Sequence, residues 1–264
     1  MGKPKTCAIL VVAVLALLVT SGILAGCTSK VATVKTIRPG VLLIGSENTY
    51  PPFEMTVGNE FVGFDVDIAN AIAARLGLRP QIVKTTFGKI IPGLQGGNYD
   101  VAISAMTITP ERSRLVSFSN PYMTADQSIC VRLASDIKEQ ANLAGKTVGV
   151  ETGTTGEAKA LEIQKSGGIG RIQRFSNIQL AFQALEIGTI DAIINDYATN
   201  AYISDQRGNT KVAQLIKTNE NYGIGIRKGD AQMVAGVNKA LAAMLNDGSY
   251  KAIYQKWFGA PNAK

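Results

Sequence analysis

The 264-residue chain has no histidine. That absence excludes Ser-His-Asp and Cys-His nucleophilic machinery and most zinc sites. Cysteine is almost as scarce, with three in all, and Cys7 and Cys27 fall in an N-terminal export segment. Cys130 is then alone in the mature part, so no intrachain disulfide can form there. It lies in the apolar run "QSICVRL" and is expected as a small core residue rather than a nucleophile. Long hydrophobic runs are missing apart from residues 8–19, "AILVVAVLALLV". Those twelve residues fall short of the ~20 that a membrane-spanning helix needs. No long Pro- or Ser-rich stretch separates the rest into tethered halves, so two lobes would have to join through strands.

What is present begins with Lys3 and Lys5, the apolar run, and then "LAGC" from Leu24 to Cys27. This is the order of a secretory signal. It resembles the lipobox of bacterial-type lipoproteins, in which the cysteine is lipidated and becomes the new N-terminus. A retained membrane helix is the alternative, and either reading places the rest of the chain outside the cytoplasm. Residues 28–36 would form a flexible tether. Removing Lys3 and Lys5 leaves 25 basic and 20 acidic residues, a net charge of +5. These charges are scattered rather than striped, which fits solubility or a negatively charged envelope and not nucleic acid.

Downstream, strand-like and helix-like segments alternate. "VLLIG" (41–45) is a buried-strand signal. "FDVDIANAIAARLGL" (64–78) puts Val66, Ile68, Ala69, Ile72 and Leu76 on one helical face, with Gly77 as its stop. "PQIVKTT" and "YDVAIS" continue as strands around a short helix at "KIIPGLQGG". After Cys130 a second series follows: a strand, a Gly/Thr turn and a helix in "KTVGVETGTTGEAKALEIQKSGG", then "RIQRF", "NIQLAFQALEIG", "IDAIIND", "YATNAYISDQ" and "KVAQLI". Two amphipathic helices joined at Gly248 end the chain. The pattern is α/β with mostly parallel sheets, without a true internal repeat.

Eight stretches then occur in order: "YPPFE" (50–54), "GFDVDIANAIA" (63–73), "IIPGLQGGNYDVAISAMTITPER" (90–112), "VSFSNPY" (116–122), "VGVETGTTGE" (148–157), "GTIDAIIND" (188–196), "YGIGIRKGD" (222–230) and "YKAIYQKWFG" (250–259). Together they resemble the extracellular, periplasmic-type substrate-binding proteins of polar amino acid ABC transporters, the family 3 solute-binding proteins, from about Val41 to Gly259. The resemblance implies a type II periplasmic-binding-protein-like fold of two α/β lobes around a cleft. Lobe 1 would comprise 37–121 and 223–264, lobe 2 would comprise 127–217, and the crossover strands would be 122–126 and 218–222. It implies a free L-amino acid as ligand, ABC transporter permease subunits as partners, a membrane contact through a lipid anchor on Cys27, and a monomer. It implies no cofactor, no metal and no enzymatic activity.

A free amino acid carries a carboxylate and an ammonium, and removing both from water requires a partner for each. Arg112 is the expected cation, because a guanidinium grips a carboxylate through two parallel bonds. The resemblance adds Thr107 to the same carboxylate, at a strand-to-helix turn where backbone amides favour anions. "TPER" (109–112) also has the form of a capping box with Pro at the first helical position. On that reading alone Arg112 would be a solvated surface residue. "ETGTTGE" (151–157) is the facing element, with Thr155 at the family position for a second donor and an ordinary helix cap as the alternative. Asp196 would pair with the ligand ammonium or simply cap the following helix, and Ser104 and Ala105 would supply acceptors nearby. Tyr50 and Phe87 match the family's aromatic walls, although aromatics are more often core, and Phe53 reads as core.

Two positions depart from the family pattern. Glu47 stands where many relatives carry aspartate, and Glu151 where they carry glutamine, lysine or an apolar residue. If both face the pocket, its far end is acidic and suits a basic or amide-bearing amino acid, with Asn195 also within reach. Otherwise Glu47 bonds local amides and Glu151 points to solvent. Two other classes remain open on the same fold: a dehydratase of small, prephenate-like carboxylates with Glu47 or Glu151 as general acid, and a sensor input domain. With no membrane helix or effector domain after the C-terminal helices, a stand-alone lipoprotein is expected.

Overall fold

Strand β1 (Val41–Ser46) is buried along its whole length, as a continuous apolar run should be when both faces of its sheet are covered. The computed structural model to which it belongs describes residues 34–259. The expected signal segment, including Cys27, and the first part of the expected tether lie outside the described residues. Val34, inside the expected tether, instead packs half-buried against the core.

From β1 the chain forms a hairpin sheet the sequence reading missed, β2 (Thr49–Tyr50), β3 (Glu54–Val57) and β4 (Glu60–Val62). Helix α1 (Phe64–Arg75) follows, then β5 (Arg79–Lys84), α2 (Ile90–Gln95), β6 (Val101–Ala102), α3 (Pro110–Leu115) and β7 (Ser117–Phe118). The second series is β8 (Met123–Arg132), β9 (Thr147–Glu151), α4 (Thr155–Lys165), β10 (Arg171–Phe175), α5 (Ile178–Glu186), β11 (Ala192–Asp196), α6 (Tyr197–Arg207) and β12 (Thr210–Tyr222). The chain then returns through β13 (Gly225–Ile226), α7 (Ala231–Asn246) and α8 (Ser249–Phe258).

Two five-stranded sheets, β5-β1-β6-β13-β7 and β10-β9-β11-β8-β12, form the two lobes. In each, four of the five strands share one direction and a single strand runs against them, in line with the expectation of mostly parallel sheets. β1 pairs parallel with β5 and β6, but β13 is antiparallel to both β6 and β7. β9 pairs parallel with β10 and β11, but β8 is antiparallel to β11 and β12. The opposed strand in each sheet is the first that the chain forms on crossing into it from the other sheet, β8 in one case and β13 in the other. Met123 pairs with Tyr222, Thr124 with Asn221 and Ala125 with Glu220 where β8 and β12 begin and end.

Local chemistry explains the element ends that face the cleft. Thr109 caps α3 by accepting a hydrogen bond from the Arg112 amide, with Pro110 as the first helical residue. Thr154 does the same for α4 through the Glu157 amide. Gly63, before α1, is required sterically: a Cβ there would stand 1.9 Å from the Phe53 carbonyl oxygen. α1 stops at Gly77, which takes the left-handed conformation at φ +70°. Phe53 is fully buried and packs on Tyr50, Phe64, Tyr222 and Phe258. Cys130 is a buried free thiol whose pKa is pushed up by burial, as a core residue requires.

Candidate ligand-binding site

The polar segments that follow the strands of both lobes converge on one small, closely lined pocket. Its lining is Tyr50, Phe87, Ser104, Ala105, Thr107, Arg112, Glu151, Thr154, Thr155 and Asp196. Nine of the ten residues expected from sequence therefore meet at one place. Glu47 is the exception and stands behind Glu151. Thr154 lines the pocket beside its capping role.

At one end Arg112 is held by its own neighbourhood. Nη1 donates to the Thr107 carbonyl at 2.8 Å, Nη2 donates to the Gly153 carbonyl at 3.1 Å, and the guanidinium lies 5.1 Å over the Phe87 ring. The bond to Gly153 crosses from one lobe to the other. Burial lowers the guanidinium pKa, while the charges of Asp196 and Glu220 oppose that shift. Capping and cleft-facing roles coexist: the Arg112 backbone completes the cap while its side chain turns inward rather than into solvent.

Asp196 is 7% exposed. It occupies the cap position of α6 without making a side-chain cap bond. The hydroxyl of Tyr222 stands 2.5 Å and that of Tyr50 2.7 Å from its Oδ2, and the Gln127 amide donates to Oδ1. Burial raises its pKa to about 6, with those hydroxyls pulling it back and the charge of Glu220 adding to the rise. Tyr50 also lies 2.9 Å from Asn195 Oδ1, so one lobe 1 aromatic touches two polar residues of lobe 2.

Beneath the pocket floor lies an acid layer that sequence reasoning did not find. Ala105, at φ +43°, is a non-glycine residue in the left-handed region, where strain is held by its surroundings. Its amide donates to Asp65 Oδ2 at 2.6 Å, and Asp65 also meets the Tyr122 hydroxyl at 2.9 Å. Burial raises Asp65 to about 7. The Ser104 hydroxyl donates to Glu54 and accepts from the Glu47 amide at 3.1 Å. It is therefore committed to the floor, leaving its backbone for the pocket. Burial and the charge of Asp65 push Glu54 well above the ordinary carboxylate range.

Glu151 ends β9 and is 1% exposed. The expectation that it might point to solvent does not hold. It faces the Glu47 carboxyl and the Ile178 amide, and neither of its carboxyl oxygens has a donor in good hydrogen-bond geometry. Glu47 is 2% exposed; Oε1 accepts from the Thr49 hydroxyl at 2.5 Å, and Oε2 has no partner. Desolvation comes first among the causes that raise both acids, and for Glu151 the charge of Glu47 comes second. Two buried carboxyls side by side cannot both ionise cheaply, so protons or a cation must balance them.

Gln127 of β8 and Glu220 and Tyr222 of β12 stand behind the lining and bond to Asp196, Thr107 and Thr155. Thr107 and Thr155 both donate to Glu220 Oε2, at 2.8 and 2.7 Å. The sequence reading missed Gln127, and a polar residue opening the apolar run "QSICV" is the one signal that could have marked it. Nothing in "NENY" (219–222) marked Glu220.

Residues 42–260 match the sequence profile of the bacterial extracellular solute-binding proteins, family 3. A lysine/arginine/ornithine-binding periplasmic protein of Escherichia coli K12 is 31% identical over 255 residues, covering 93% of this chain and 96% of the relative. ABC transporter arginine-binding protein 1 of the same organism is 33% identical, covering 91% and 98%. Among solved structures, an ancestral arginine-binding protein bound to arginine superposes with a TM-score of 0.80 at 42% identity, over 83% of this chain and 99% of that one.

Proposed function

The chain belongs to the bacterial extracellular solute-binding proteins of family 3, and from that premise we propose that it binds a free basic L-amino acid, of the arginine or lysine type, between its lobes and delivers it to an ABC transporter permease. Arg112 pairs with the ligand carboxylate, assisted by Thr107 and Thr155. Asp196 receives the ammonium, close to the backbone of Ser104 and Ala105. Tyr50 and Phe87 wall the aliphatic part of the side chain. Glu151, backed by Glu47, takes the cationic end.

One observation carries the choice of a basic ligand: Glu151 is buried at the pocket wall with both oxygens unpartnered, beside a second buried acid. A guanidinium or ammonium supplies the missing positive charge and the missing donors together. A ligand with an acidic side chain would add a further negative charge to the same place. The named binding specificities of the relatives above support the same reading.

Transport requires the site to open and close. The hinges are the segments 122–126 and 218–222, where the paired ends of β8 and β12 pass between lobes. The protein works outside the cytoplasmic membrane as a monomer, anchored by a lipid on Cys27. A thermal-shift screen with the twenty amino acids tests the reading, because a ligand that binds only the folded form raises Tm. Arginine or lysine is expected to give the largest rise and glutamate none; a response to glutamate without one to arginine or lysine would refute it.

A further inference from the structure

Glu220 lies in no motif of the pocket and outside its lining, yet the fold goes to some length to aim it at two of the lining residues, Thr107 and Thr155. The pairing of β12 with β8 slips between Ile216 and Glu220: Ile216 faces Gln127, while Glu220, four residues on, faces Ala125, only two residues away on β8. Inside this bulge Asn219 takes a left-handed conformation at φ +53°. Asp126 Oδ1 accepts from the amides of Thr218 and Asn219 at 2.8 and 2.9 Å and fixes the bulge in place. Bulges of this kind redirect a side chain from the line of its strand.

The redirected carboxylate meets both lobes through one atom. Oε2 of Glu220 accepts from Thr107 Oγ1, after β6, at 2.8 Å and from Thr155 Oγ1, at the start of α4, at 2.7 Å. Gln127 Nε2 flanks the carboxylate at 3.4 Å. The charge of Glu220 also acts favourably on Arg112. These are the groups assigned above to the ligand carboxylate, and the inference rests on that assignment. Each threonine hydroxyl has a single proton to donate and cannot serve two carboxylates at once. Two carboxylates in this space also repel one another.

We propose that Glu220 is a built-in stand-in for the ligand carboxylate: without ligand it holds Thr107 and Thr155 and latches the lobes together, and an incoming amino acid must displace it. The latched form is not competent to bind. Its population lowers the apparent affinity by the fraction of molecules it occupies. Glu220 is thus a positioning residue that sets how readily the cleft opens and how tightly any amino acid is held. It acts independently of the side-chain end of the pocket.

Two variants test this. Glu220→Gln keeps the shape and removes the charge; it is expected to bind arginine about tenfold more tightly than the unaltered protein in calorimetry, equivalent to about 1.4 kcal/mol. A merely structural role would weaken binding instead. Glu220→Ala removes the acceptor, and small-angle scattering without ligand is expected to give a larger radius of gyration than for the unaltered protein. Unchanged or weaker arginine binding by Glu220→Gln, or an unchanged radius for Glu220→Ala, overturns the latch. If the unaltered protein binds no amino acid, the functional reading fails, and the scattering comparison still decides the latch because it uses no ligand.

Discussion

The two ends of the pocket are built on opposite principles. At the Arg112 end every strong group is already engaged: the guanidinium on two carbonyls and an aromatic face, the threonine hydroxyls on Glu220. At the Glu151 end buried carboxyl oxygens are left with no partner. The first end is preorganised for a group that every amino acid carries. The second is unbalanced and waits for a particular charge. On the proposed function, affinity for the common part and choice of the variable part fall to different residues, and substitutions should separate them.

The largest effect is expected at the common end. Arg112→Ala should weaken binding of every amino acid ligand about 100-fold or more, in the range found when one member of a buried charge pair is removed, ~2–5 kcal/mol. The fold should survive, because the Arg112 side chain touches only cleft-lining groups, the Thr107 and Gly153 carbonyls and the Phe87 ring, and an unfolding transition close to that of the unaltered protein would show it. Arginine affinity near normal in calorimetry would break the comparison.

A smaller and selective effect is expected at the other end. Glu151→Gln should cost arginine about tenfold, since a hydrogen bond to a charged group contributes ~1.5–3 kcal/mol. Glutamine should bind the variant at least as well as it binds the unaltered protein. An equal loss for both ligands would mean that Glu151 supports the pocket and does not choose its occupant.

A last effect, on stability more than on choice of ligand, comes from pH. Burial raises the folded-state pKa of Asp196 to about 6 and of Asp65 to about 7, and raises Glu47, Glu54 and Glu151 as well. An acid whose folded pKa lies above its unfolded one binds its proton more tightly when folded. Its contribution is present below the unfolded value, near 4, and is lost as pH rises through the folded value. The ligand-free protein should therefore lose Tm between about pH 4 and pH 7. Glu151→Gln should flatten part of that slope. Arginine, by favouring the ionised acids, should bind more tightly as pH rises through the same interval. A ligand-free Tm that climbs over this interval would contradict the acid layer.

Much of the grip was legible in sequence because its residues sit within short stretches after strands. Thr107, Thr109 and Arg112 span six residues, and their turn can be read from capping chemistry alone. The same holds for Glu151 to Thr155. The floor and the latch were not legible, because their contacts join distant positions: Ser104 to Glu54 across 50 residues, Thr107 to Glu220 across 113. Nor does residue alternation reveal strand direction, so the antiparallel entry of β8 and β13 stayed hidden. Ser104 was expected to offer an acceptor, and the buried Glu54 carboxyl below takes its hydroxyl and leaves the backbone carbonyl for that part.

Cys130 has a practical consequence. Its side chain is sealed inside the second lobe and its raised pKa keeps the thiol protonated, so alkylating reagents, which attack thiolates, should pass it by. A cysteine introduced at an exposed site on the mature domain would then be the one reactive handle there. A fluorophore at such a site in each lobe in turn would convert the proposed hinge motion into an optical signal, and the protein would become a readout of whatever amino acid it holds.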